Sequence, residues 1–178
     1  MSKRTAFGGD CNYQDFKSIG VRIAKDNNTL QLKEYLVKLR SKEAILVQQA
    51  SAVCYAISDI SPQLFGSFQK ELIEVLKNNV HPAGPRFTFR VLAEISIDEK
   101  YLGEAIDLSF KYINDPSSPT AVQVFAMSVI ANNMEQYPEL GPELEAALQF
   151  RFTQGSAGFK NRVRKIAQAY GLKIEENM

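Results

Sequence analysis

The chain has 178 residues, of which 45% are hydrophobic and 23% charged, so wholesale disorder is excluded and a substantial core is expected. The formal net charge is +1, and bulk charge therefore favours neither nucleic acid nor a membrane surface as a partner. No run approaches the roughly 18 apolar residues of a membrane span, and no signal-like apolar stretch follows Lys3 and Arg4. We expect a cytoplasmic protein.

Helical periodicity recurs along the chain, whereas alternating strand patterns bounded by tight turns are nearly absent. Nine amphipathic segments are predicted to be helices. Their first apolar anchors, in chain order, are Tyr13, Leu30, Ala44, Phe65, Phe87, Tyr101, Val122, Leu144 and Phe159. The connectors between these segments are short, so neighbouring helices are predicted to pack antiparallel.

Proline, glycine and cap residues lie at the predicted boundaries. Ser61-Pro62 places a cap residue before a proline at the first helical position, and Pro119 and Pro142 are read in the same way. Asn78-Asn79 fits a helix C-terminus, and the stretch 81–85 is a tight connector. Gly155-Ser156 supplies a helix stop followed by a cap.

Three helical segments can be laid on one another, which indicates an internal repeat. Phe89–Ile95 aligns with Val124–Ile130, 35 residues later, and that segment aligns with Asn161–Ala167 after a further 37. The segment from Ala44 fits less closely, one unit upstream. A period in the high thirties with two helices per unit is typical of an α-solenoid.

This pattern resembles HEAT or armadillo-like repeats over about Thr29 to Leu172. The resemblance implies an all-α fold, a right-handed α-α superhelix of antiparallel helix pairs whose second helices line a concave face. It also implies one domain, with residues 1–28 as an N-terminal capping helix region and 29–178 as the repeats.

A longer pattern runs from Asp115-Pro116 through Val124–Met127 to Gly155–Phe159. It is similar to small uncharacterised bacterial helical-repeat proteins, some of which carry an adenylosuccinate lyase label. That enzyme family uses a Ser-Ser-x-Met-Pro-type signature and a catalytic histidine on a much longer chain. The signature is missing here and His81 is the only histidine, so lyase activity is not expected.

The candidate catalytic or metal-ligating residues have no partner residues near them in the sequence. His81 has no second histidine or Cys-x-x-Cys motif nearby and is predicted to be an exposed loop residue. Cys54 lies in an apolar helix and Cys11 in a polar stretch, and both are predicted to be reduced thiols. We therefore expect no catalytic residue, no metal site and no cofactor.

Charge is distributed in blocks that the neutral total hides. Residues 92–145 hold ten acidic and two basic residues, whereas residues 151–174 hold six basic residues and no acidic one. Arg86 and Arg90 share a helix face, as do Lys160 and Arg164. The candidate residues for binding an anionic partner are Arg86, Arg90, Lys160, Arg162, Arg164 and Lys165. We expect Lys160, Arg162 and Arg164 to face water, and a basic run that binds such a partner is expected to converge with Arg86 and Arg90 on one surface.

Two interpretations of the basic C-terminal run stay open. It is either a polar cap that keeps the end of the solenoid soluble, or it holds an acidic protein or nucleic-acid phosphate. The function favoured by the sequence is a non-enzymatic scaffold that binds a protein partner through its concave face. The alternative is a nucleic-acid-associated module that uses the basic C-terminal repeat. HEAT-like DNA glycosylases rely on groove tryptophans, and this chain has none.

Overall fold

The computed structural model of the protein describes residues 12–78 and 81–175, and within these ranges every regular element is a helix. One 3₁₀ helix spans Pro62–Phe68. The α-helices are α1 Tyr13–Lys25, α2 Thr29–Lys38, α3 Ala44–Ser58, α4 Gln69–Lys77, α5 Ala83–Leu92, α6 Glu99–Asn114, α7 Thr120–Ala131, α8 Leu140–Phe152 and α9 Ala157–Tyr170.

The predicted all-α class is confirmed, and each of the nine predicted segments contains an α-helix. The fourth segment is divided, because the 3₁₀ helix occupies its first half and α4 its second. The chain forms two compact units that meet in sequence between Tyr101 and Leu102. The handedness of the superhelix and the division into residues 1–28 and 29–178 stay predictions.

Helix α3 is the centre of the first unit. It packs against α1, α2, α5 and the 3₁₀ helix, and nine of its 15 residues are buried on all sides of the helix. A helix that is apolar around its circumference is stable in water only when neighbours enclose it. The arrangement of the first unit follows from that requirement.

Helices α3 and α5 lie side by side and run in the same direction. Midway along α3, the Ser51 hydroxyl donates to the Ala83 carbonyl at the start of α5 over 3.3 Å. At their ends, Arg90 Nη2 donates to Asp59 Oδ1 over 2.6 Å. These partners are 32 and 31 residues apart in sequence, so α3 and α5 occupy equivalent positions in successive repeats.

The second unit repeats this arrangement with α7 and α9. The Thr120 and Ser156 hydroxyls are 2.8 Å apart at the two helix starts, and Arg162 donates to Ser128 Oγ midway. The Tyr170 hydroxyl lies 3.5 Å from Asn132 Oδ1 at the two ends. The sequence separations are 36, 34 and 38 residues, which agree with the 37-residue shift between the two segments.

The predicted helix boundaries are partly correct. Ser156 caps α9 by accepting from the Phe159 N–H at 3.2 Å, and Asn78 is the C-terminal cap of α4. Ser61 precedes a 3₁₀ helix and makes no side-chain cap bond. Pro119 is itself the N-terminal cap of α7, and Pro142 lies inside the first turn of α8, where a missing N–H leaves no intrahelical bond unmade.

The apolar spacing of the aligned segments predicts that Val91, Ile95, Phe125 and Val129 are nearly fully buried, and the prediction is correct for two of these four positions. Val91 and Val129 are fully buried, whereas Ile95 and Phe125 are only partly buried. Ile95 lies beyond the end of α5 at Leu92. Phe125 belongs, with residues 121 and 124, to one stripe of α7 that is left partly open to solvent.

The α1–α3 contact leaves no room for a side chain at Gly20. A Cβ there would lie 2.7 Å from the Ala56 Cβ and closer still to the Val53 carbonyl oxygen. We expect Gly20→Ala to lower the free energy of unfolding by about 1–3 kcal/mol, because the helices must separate. Gly103→Ala in α6 is the matched control, since nothing lies within 4 Å of its Cβ position, and it should be neutral or stabilising by up to about 1 kcal/mol. Urea denaturation of both variants decides the point, and equal effects would contradict the close approach.

Cys54 is fully buried in α3, and this burial raises the pKa of its thiol well above the usual range. Cys11 lies outside the described residues. In a Cys11→Ser variant we expect an aromatic disulfide reagent to label the folded protein far more slowly than the urea-unfolded protein, because only the exposed thiolate reacts. Rapid labelling of the folded variant at neutral pH would show that Cys54 is accessible.

Candidate functional site

A pocket of about 380 Å³ lies on the surface that α1, α3 and α5 form within the first unit. We call it the α3–α5 pocket. It contains both arginines that the sequence singled out in this unit. Its lining residues are Tyr13, Gln48, Ser51, Ala52, Tyr55, Asp59, Ala83, Arg86 and Arg90.

Arg90 is held rigidly at one end of this pocket. Its Nη2 donates to Asp59 over 2.6 Å, and its Nε donates to Glu94 Oε1 over 3.1 Å. The guanidinium also lies 5.1 Å from the centre of the Tyr55 ring, a cation–π distance. Partial burial lowers the pKa of Arg90, but the Asp59 hydrogen bond and the charge of Glu94 raise it on balance. Arg90 is thus a fixed cation with two carboxylates beside it.

Arg86 differs from Arg90 although it is one turn away on the same face. Its side chain is exposed, and within the described residues it makes no ion pair. Its charge reaches Tyr55, where it opposes the effect of burial on the phenol. Arg86 is therefore the cation in the pocket that is available to an anionic group from outside.

Tyr55 connects the pocket to the core. Its ring packs edge-on against Phe87 at 5.3 Å between centroids, and Phe87 packs against Phe65 at 5.2 Å. Burial raises the pKa of the phenol, and its oxygen is buried without a hydrogen-bond partner in the described part of the chain. The wall that carries Arg90 is rigid because it rests on buried aromatic rings.

His81 is not the exposed loop residue that the sequence predicts. It is half-buried, and its Nδ1 accepts from the Ala83 N–H at 3.2 Å, at the start of α5. Its Nε2 lies 2.9 Å from the side-chain amide of Gln48. Both ring nitrogens are thus used to hold the start of α5 against α3.

The basic residues of α9 divide into two groups in the second unit. Lys160 and Arg164 lie over the Phe152 ring at 5.6 and 5.4 Å, and Lys165 is exposed. Arg162 is half-buried and donates to Ser128 on α7. The expectation that Lys160, Arg162 and Arg164 face water is wrong for Arg162, because its position on α9 turns it toward α7. Lys160 is also half-buried, whereas Arg164 is exposed.

Arg151 gives a second correction to the basic run. It is 5% exposed and donates to Gln154 Oε1 over 2.9 Å. Because Arg151 and Arg162 are turned inward, fewer of the six positive charges in this run are exposed at the surface than the sequence suggests. Arg86 and Arg90 belong to the first unit and the α9 residues to the second, so their convergence on one surface stays a prediction.

Neither a metal centre nor a membrane span can be assigned in the part of the chain that the structure describes. Within residues 12–78 and 81–175 no group of three His, Cys, Asp or Glu side chains could hold a metal ion. No helix in the same ranges has the length and apolar character needed to cross a membrane.

These observations define the class of protein. Two pairs of helices, α3 with α5 and α7 with α9, stack in parallel at sequence separations between 31 and 38 residues, as expected of a helical-repeat protein. The sequence model of the HEAT repeat domain family matches residues 4–170, and the chain belongs to that family. No curated protein and no solved structure matches it.

The two roles of basic residues on α9 can be separated by their effect on stability. Arg162→Ala should lower the free energy of unfolding by at least about 1 kcal/mol, because it removes a charged hydrogen bond and a packed side-chain stem. Lys165→Ala should change it by less than about 0.5 kcal/mol, as is usual for an exposed residue. Thermal or urea unfolding of the two variants tests this, and a neutral Arg162→Ala would place Arg162 in solvent.

Proposed function

We propose that this protein is a non-enzymatic helical-repeat scaffold that binds an acidic segment of a protein partner on the surface formed by α3 and α5. The observation that carries the proposal is the contrast between the two arginines of the α3–α5 pocket. Arg90 is paired with Asp59 and Glu94, whereas exposed Arg86 makes no ion pair within the described residues.

The exposed guanidinium of Arg86 suits a carboxylate as its ligand. A guanidinium offers parallel N–H donors that match the two oxygens of an Asp or Glu side chain. Arg90 and its two carboxylates hold the far wall of the pocket in place, so a partner need not order that wall when it binds. HEAT repeats generally mediate protein interactions, which supports a protein as the partner.

The residues of the pocket support a binding role over a catalytic one. In the pocket, Asp59 is paired with Arg90, and the Tyr55 hydroxyl oxygen is buried, with burial raising its pKa. Outside the lining, both nitrogens of His81 hold the α3–α5 junction. General acid–base chemistry needs a titratable group free to exchange a proton with a substrate. In this proposal the scaffold is cytoplasmic, as the sequence leads us to expect.

The nucleic-acid alternative has less support. It relies on the basic α9, and two of the six basic residues in that run, Arg151 and Arg162, are turned into the second unit. Phosphate binding is additive in the number of exposed cations, so losing two of them weakens this alternative.

Charge reversal at Arg86 tests the proposal. We expect a fluorescein-labelled glutamate-rich peptide to bind the parent protein and Lys33→Glu equally, and Arg86→Glu at least about tenfold more weakly, equal to about 1.4 kcal/mol. Lys33→Glu is the matched control, because Lys33 is exposed on α2 and does not line the pocket. Fluorescence anisotropy at about 50 mM salt gives the affinities.

The competing outcomes are distinct. If Arg86→Glu and Lys33→Glu weaken binding equally, the attraction is a property of total charge and the proposal is wrong. If a duplex DNA of matched charge binds more tightly than the peptide and Lys165→Glu abolishes that binding, the nucleic-acid module replaces the scaffold.

A further inference from the structure

A second cavity in the first unit is larger and more basic than the α3–α5 pocket. Its volume is about 810 Å³, and it lies between the end of α2, the loop that leads to α3, and the end of α4. We call it the α2–α4 groove. Four of its lining residues are cations and none is an acid, the cations being Lys38, Arg40, Lys42 and Lys77.

The helix ends explain only part of this charge. Lys38 and Lys77 lie in the last turns of α2 and α4, where a cation complements the partial negative charge of a helix C-terminus. Lys38 lies 4.6 Å from the Tyr35 ring centre, and Lys77 pairs with Glu74 at 3.2 Å. These two side chains have roles within the fold.

Arg40 and Lys42 have no such role. Both follow the end of α2, and within the described residues neither makes an ion pair. The acid nearest in sequence, Glu43, is the exposed N-terminal cap of α3 and does not line the groove.

The apolar part of the lining identifies the kind of partner. Val37 and Leu46 lie in the groove among the cations, and Val37 is 51% exposed. No aromatic side chain lines the groove, so it lacks the stacking surface on which proteins hold single-stranded bases. Two apolar side chains among basic ones fit a peptide whose apolar side chain is flanked by carboxylates.

We propose that the α2–α4 groove is a second binding site, which takes an acidic protein segment with one apolar anchor. The carboxylates of the segment pair with Arg40 and Lys42, and its anchor covers Val37 and Leu46. This site is separate from the α3–α5 pocket and goes beyond the proposed function. The groove would bind its segment even if the α3–α5 pocket bound nothing.

The probe is a short peptide with one central leucine flanked on both sides by glutamates. We expect the double variant Arg40→Glu, Lys42→Glu to bind it at least about tenfold more weakly than the parent protein. Replacing the peptide's leucine with serine should also weaken binding about tenfold, because a buried apolar contact is lost. The variant Lys33→Glu carries a charge reversal outside the groove and should keep most of the affinity for this peptide.

Amide chemical shifts locate the bound peptide independently of affinity. In ¹H–¹⁵N spectra of the full chain, we expect the leucine peptide to shift amides of residues 38–46, and we expect the serine peptide to lose that effect. The variant Arg40→Gln, Lys42→Gln repeats the test with a smaller charge change, and its circular dichroism spectrum must match that of the parent.

The proposal is overturned by no binding of the leucine peptide to the parent protein, by equal affinity for the leucine and serine peptides, or by shifts confined to residues 83–90. The last result would support the α3–α5 pocket alone. Tighter binding of a single-stranded oligonucleotide than of the peptide, with the same dependence on Arg40 and Lys42, would also overturn it and make the groove a nucleic-acid site.

Discussion

The structure depends on one requirement, which is that an apolar helix in each unit must be enclosed. Helix α3 in the first unit and α7 in the second bury residues around most of their circumference, and neither could remain in water alone. Helices α1, α2 and α5 enclose α3, and helices α8 and α9 pack on α7. At Gly20 the enclosure is so close that α1 meets the backbone of α3 without an intervening side chain.

Parallel stacking of equivalent helices then decides which side chains meet. Because successive repeats have similar lengths, each residue lies beside the equivalent residue of the next repeat. The end of α3 therefore lies beside the end of α5. Asp59 thereby meets Arg90, and Gln48 meets His81. The α3–α5 pocket is a consequence of this stacking, because eight of its nine lining residues belong to α3, its C-terminal cap and α5, and only Tyr13 comes from α1. Tyr55 of α3 packs edge-on against Phe87 of α5.

The sequence predicts the helices well because apolar spacing reports directly which face is buried. It does not predict which neighbour a side chain meets. Phe125 has the spacing of a core residue but lies on an uncovered stripe of α7, and Arg162 looks like a surface cation but reaches Ser128. The α2–α4 groove was missed because Lys38, Arg40 and Lys42 look in the sequence like an ordinary basic helix end, and only the fold brings the distant Lys77 beside them. The pairing of Asp59 with Arg90 could have been found, since the two opposite charges are separated by about one repeat.

Basic residues in this chain therefore have two physical roles that a count of charges cannot separate. Arg151 and Arg162 exchange water for fixed hydrogen-bond partners, so their charge contributes to internal structure and little to attraction at a distance. Lys42 and Arg86 are exposed and Arg40 is half-buried, and the charges of all three lie beside cavities that side chains do not fill. Because the apolar helices use the interior of each unit for packing, both cavities of the first unit described above lie at its edges, where helices end or lie side by side. Exposed cations at those edges are the groups that an acidic partner can neutralise without disturbing the core.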